Sequence, residues 1–159
     1  MKTAIVYYSM SGNTAAAARK VAESIRADLI EIKPEKAFPD KGIKKFFWGG
    51  KSAVMAETPE LMPYTFDPDR YDQLVIGFPV WAFNVAPPVR TFVAENKEAV
   101  RNLKIAAFAC QGGSGAEKAF KKLLDCLGQD SFSATMVLND PMPRAEIDQA
   151  IAAFAARLT

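Results

Sequence analysis

Thr3-Ala4-Ile5-Val6-Tyr7-Tyr8-Ser9-Met10-Ser11-Gly12-Asn13-Thr14 passes from an unbroken, mostly apolar run into a cluster of hydroxyls around one glycine. Thr3–Tyr8 has the pattern of a strand buried on both faces. The residues that follow, Asn13–Ala27, set Ala18, Val21, Ala22 and Ile25 along one stripe, which predicts a helix. A polar loop between a buried strand and a helix places its donors at the helix N-terminus. Free N–H groups and a partial positive charge there favour an anion. The loop has no lysine or arginine and matches neither G-x-x-x-x-G-K-[ST] nor G-x-G-x-x-G. A nucleoside triphosphate and a dinucleotide pyrophosphate are thereby disfavoured. What remains is a neutral cradle, Ser9–Thr14, for one terminal phosphate monoester. The alternative is that Asn13 and Thr14 only cap the helix.

The same alternation continues outward. Leu29–Ile32, Tyr71–Phe78, Leu103–Ala109 and Phe132–Leu138 read as further strands. Pro88–Glu98, Ser114–Leu127 (stopping at Gly128) and Pro143–Leu158 read as helices. Strands alternating with helices predict an α/β fold: one doubly wound domain over 1–159, with a five-stranded parallel sheet. Pro34–Arg70 breaks the pattern, carries five of the ten prolines and is too long for a simple connection.

With 159 residues, half of them apolar, the chain can bury a core without a metal or disulfide staple. A net charge of +2 gives no case for nucleic acid or an anionic membrane as partner. There is no histidine, which removes Ser-His-Asp and Cys-His catalysis and histidine-ligated zinc. Cys110 and Cys126 fall near opposite ends of a helix ~20 Å long, beyond the ~7 Å Cα limit of a disulfide. Reduced thiols, no signal peptide and no run long enough to span a membrane lead to the expectation of a cytoplasmic protein.

In such sheets ligands bind beyond the carboxyl ends of the strands. Two further segments fall there. Pro79-Val80-Trp81-Ala82-Phe83-Asn84-Val85 offers two aromatics suited to stacking on a planar ring, unless they fold into the core. Cys110-Gln111-Gly112-Gly113-Ser114-Gly115 offers backbone donors close to a ligand, or is an ordinary glycine-rich turn.

Together Tyr8–Thr14, Gly77-Phe78-Pro79-Val80-Trp81-Ala82 and Gly112–Gly115 resemble the flavodoxin family, and within it short flavodoxin-like proteins with a G-x-P-V-W loop. The resemblance spans nearly the whole chain and implies strand order 2-1-3-4-5 and one non-covalent FMN. It implies that Ser9, Ser11, Asn13 and Thr14, with the amides of Met10 and Gly12, hold the phosphate. Trp81 would stack on or edge the isoalloxazine, with the Pro79–Phe83 backbone, including Val80 and Ala82, facing its pyrimidine side; Asn84 in the same loop would join the cofactor site. Cys110, Gln111, Gly112, Gly113 and Gly115 would close the second wall. Many flavodoxins carry a tyrosine in that wall; this chain has no aromatic there. Phe46-Phe47-Trp48-Gly49-Gly50-Lys51 either supplies the missing cover or docks on the core.

The three loops hold no charged residue, no general base and no activated nucleophile, so any chemistry belongs to the flavin. Lys33–Lys51 has a balance of +4 and Glu57–Asp72 one of −4. The expectation is an FMN-binding electron-transfer protein working with a redox partner protein. The alternative is an NAD(P)H-dependent quinone or flavin reductase, which needs NAD(P)H, a small electron acceptor and an open flavin face.

Overall fold

The structure is a computed structural model and describes residues 1–37 and 57–159. Within these, β1 (Thr3–Tyr7), β2 (Asp28–Glu31), β3 (Gln73–Trp81), β4 (Asn84–Val85), β5 (Lys104–Gln111) and β6 (Thr135–Asn139) form one sheet. The helices are α1 (Asn13–Ile25), α2 (Pro87–Asn96), α3 (Ala116–Leu127) and α4 (Arg144–Leu158).

Five of the strands run parallel in the order β2-β1-β3-β5-β6, the expected 2-1-3-4-5 order once the short β4 is set aside. β4 is the correction. Pro79–Val85 is not a free loop. Instead β3 runs on through Trp81 and turns back, so that Val80 pairs with Val85 and Trp81 with Asn84, antiparallel. The sheet therefore has six strands, not five. β5 likewise runs further than expected and carries Cys110 and Gln111 as strand residues.

Period-two alternation divides the core. Ala4, Val6, Leu74, Ile76, Phe78 and Ala107 face α2 and α3, meeting Val89, Phe92, Phe120 and Leu123. Ile5, Val75, Ala106 and Phe108 face α1 and α4, meeting Ala17, Val21, Ile151 and Phe154. Strands buried on both faces explain why Ala4–Val6 and Leu74–Ile76 are unbroken apolar runs. α3 stops at Gly128, whose φ of 68° lets its N–H reach back to the carbonyls of Leu124 and Asp125.

The described parts of the irregular segment are tied down. Glu35 N–H donates to the Glu60 carbonyl at 2.8 Å and Met62 N–H to the Lys33 carbonyl at 2.8 Å. Thr91 on α2 donates to the Pro59 carbonyl at 2.6 Å. Phe46–Lys51, with Trp48, lies outside the described residues, as does most of the basic Lys33–Lys51 stretch. Among the described residues no helix is long and apolar enough to cross a membrane. Cys110 and Cys126 are both free.

Candidate functional site

The carboxyl ends of β1, β3, β5 and β6 open into a groove of about 290 Å³. Its first wall comes from the turn after β1. Tyr8 N–H donates to the Gly77 carbonyl at 3.1 Å, holding the end of β1 beside β3. Ser9 Oγ accepts from Gly12 N–H at 3.2 Å and closes the turn. α1 then begins with Gly12 as its N-cap, with no side-chain cap and no acidic residue in its first turn. Asn13 and Thr14 are therefore not capping residues. Asn13 Nδ2 donates instead to Asp140 Oδ2 at 3.0 Å. Thr14 is buried, with its hydroxyl near enough to the Cys110 sulfur to favour its thiolate. Ser11, Asn13 and Thr14 line the groove. Ser9, Gly12 and the half-buried Met10 shape the turn behind it, Met10 packing against the core.

The second wall is the β3–β4 hairpin. Its two-residue turn has positive φ at both central positions, Ala82 at 49° and Phe83 at 63°. That is the pattern of a type I′ turn, which normally uses Asn-Gly. A side chain in the left-handed region costs roughly 1–2 kcal/mol per residue. The surroundings hold the turn: Asn84 Oδ1 accepts from Val85 N–H at 2.9 Å and from the Arg90 guanidinium on α2. Asn84 is thus buried behind the hairpin rather than facing the groove. Pro79, Val80, Trp81 and Ala82 do line it. Trp81 is half-buried and meets Tyr8 edge-on, with centroids 5.8 Å apart and planes at 89°. Burial pushes the Tyr8 hydroxyl up to about 12, so it stays neutral beside the groove.

Phe83 does not fold into the core and does not line the groove. It is 49% exposed on the rim, with Lys118 Nζ 5.2 Å from its ring centroid. Gly115 lies beneath it: a Cβ there would come within 2.9 Å of Phe83 Cδ1, and its φ of 104° already requires glycine.

The third wall is the end of β5. Gln111 is locked at both ends of its amide, Nε2 donating to Asn139 Oδ1 at 2.8 Å and Oε1 accepting from Ala116 N–H at 2.9 Å. Cys110, Gln111 and Gly112 line the groove; Gly113 and Gly115 lead into α3. Burial pushes the Cys110 thiol up; the Thr14 hydroxyl opposes this and the charge of Asp140 adds to it. A thiol held protonated is no nucleophile at neutral pH.

Asp140 is the residue that sequence reading missed. It follows β6 and lines the groove beside Asn13, so the site is not free of charge. The rule that placed the other loops, ligands beyond strand carboxyl ends, extends to the segment after the last strand and would have found it.

The fold has counterparts among known proteins. The chain matches a crystallised flavoprotein from Lactobacillus acidophilus NCFM, solved in complex with FMN, at 25% identity over 94% of this chain and 97% of that one, with a TM-score of 0.74. A protein assigned as a flavoprotein from Bacteroides uniformis ATCC 8492 matches at 27% identity, covering 95% of this chain and 97% of that one, TM-score 0.76. The two-electron reduced flavodoxin of Megasphaera elsdenii shares the fold at 16% identity and TM-score 0.61, covering 99% of both chains. No curated protein sequence matches the chain. The model of the family described as Flavodoxin matches residues 2–153, and the chain belongs to the flavodoxin family.

Proposed function

We propose that this protein binds FMN non-covalently in the groove and transfers electrons through it. The observation that carries the reading is the α1 N-terminus. It opens into the groove with a glycine N-cap, no side-chain cap and no acidic first turn, so its N–H groups are available to a phosphate. Ser11 and the amides at the start of α1 would hold that phosphate, with Ser9, Met10 and Gly12 shaping the turn behind them. Trp81, Ala82 and the Pro79–Val80 backbone would face the ring, and Cys110–Gly112 the opposite wall. The family and the FMN-bound relative support the same ligand. When bound, the flavin supplies reversible electron transfer. The protein's residues orient it, shield it from water and set the field around it. Free thiols and the absence of a membrane-spanning helix among the described residues fit a cytoplasmic setting.

A redox partner protein would meet the rim where Phe83 and Lys118 are exposed. An NAD(P)H-dependent quinone or flavin reductase is the second reading. It is favoured by the third wall, where Gln111 and Gly112 offer no aromatic cover; among the described residues Trp81 is the aromatic that lines the groove. Anaerobic mixing of the FMN form with NADH and with NADPH separates the two. Rapid bleaching of the flavin marks the reductase, and no bleaching the carrier.

Trp81 provides the test of ring placement. FMN binding is expected to quench tryptophan fluorescence, and Trp81→Ala to remove most of that quenching. Loss of quenching in Trp48→Ala alone would move the ring to the other tryptophan and overturn the assigned wall.

A further inference from the structure

The carboxylate at the phosphate end of the groove calls for an explanation. Asp140 is not a loosely placed surface residue. Its N–H donates to the Gln111 carbonyl at 2.9 Å, fixing it to the end of β5. Its Oδ2 accepts from Asn13 Nδ2 at 3.0 Å, so the carboxylate is joined to the first residue of α1. It lines the groove together with Ser11, Asn13 and Thr14. A terminal phosphate seated at this helix end would carry close to two negative charges next to a third. Among the described residues Asp140 forms no ion pair: Lys20 is paired with Asp148 at 2.8 Å, and Lys118 sits over Phe83 on the far rim.

We propose that Asp140 is a specificity-determining residue that limits how tightly the site holds a phosphorylated flavin, lowering its preference for FMN over riboflavin below what the cradle alone would give. The inference rests on the phosphate reading of Ser9–Thr14. Two physical effects of Asp140 oppose each other. Its hydrogen bond orients Asn13, which helps the cradle. Its charge repels the phosphate, which weakens retention. At a water-exposed helix end, where a phosphate dianion is involved, the charge dominates. The field of Asp140 also reaches inward, since it raises the Cys110 thiol.

Asp140→Asn isolates the charge, because the asparagine carbonyl oxygen can still accept from Asn13. Titration of the wild-type apoprotein and the variant with FMN and with riboflavin tests the idea. The expected result is FMN binding about fivefold tighter in the variant at low salt, with riboflavin unchanged. The advantage should shrink as sodium chloride rises, because salt screens the repulsion that was removed. Unchanged or weaker FMN binding in the variant would overturn the proposal, as would a parallel change for riboflavin. A wild-type protein that binds FMN no better than riboflavin would instead overturn the phosphate reading itself, and the role of Asp140 with it. Asp140→Ala, which removes charge and hydrogen bond together, is expected to give a smaller gain than Asp140→Asn.

Discussion

Riboflavin is expected to bind at least roughly a hundredfold more weakly than FMN, since each charge-assisted hydrogen bond lost is worth ~1.5–3 kcal/mol and the phosphate would make at least two. The donors would be backbone amides at the start of α1 and the Ser11 hydroxyl, which is exposed and lines the groove. Asp140 would reduce this difference without erasing it, since one carboxylate would stand against several donors. Among side chains the sharper test lies at Ser11. From the sequence, Thr14→Ala would be the natural substitution. In the structure Thr14 is buried, so that change alters packing as well as binding. Ser11→Ala is expected to weaken FMN several-fold and leave riboflavin unchanged. Calorimetric titration of the apoprotein with both flavins measures this. Equal affinity for the two would remove the phosphate cradle.

The fold was legible in the sequence because its signals are local and repeated. The buried runs Ala4–Val6, Leu74–Ile76 and Ile105–Ala109 can hardly be anything but strands covered on both faces, and the stripes of α1 and α3 supply the covers. Element ends were less legible, and the hairpin least of all. Ala82-Phe83 carries neither glycine nor asparagine, so nothing local announces a turn with two positive φ values. The turn is stabilised from elsewhere, by Asn84 bonded to Arg90 six residues on and by Phe83 resting on Gly115. Strain maintained by distant contacts is common where backbone lines a binding groove. Asp140 was within reach of the rule that placed the other loops, but its hydrogen bond to Asn13 spans 127 residues and no local signal announces it.

Phe108→Ala is expected to cost about 3–5 kcal/mol of folding stability, the range for truncating a fully buried aromatic. The ring lies on the α1 and α4 face, edge-on to Phe154 at 6.3 Å. Its other neighbour is an absence of side chain: Phe108 is in register with Gly77 on β3. A Cβ at Gly77 would collide with the ring, coming within 2.6 Å of Cε1 and 2.8 Å of Cε2. Glycine and phenylalanine thus share one volume. Gly77→Ala alone is expected to cost about 1–3 kcal/mol by overpacking. Combining it with Phe108→Ala should cost less than the two changes separately, by on the order of 1 kcal/mol, because the new methyl enters space the ring has left. Urea unfolding of the two single variants and the double variant gives the coupling; strictly additive losses would show that the pair does not share its space. The pair also bears on the groove. The Gly77 carbonyl accepts from Tyr8 N–H, and β3 continues from Gly77 to Trp81, so displacing β3 here moves the phosphate wall relative to the ring wall. Gly77→Ala is therefore expected to weaken FMN binding along with stability, and the double variant to recover part of both.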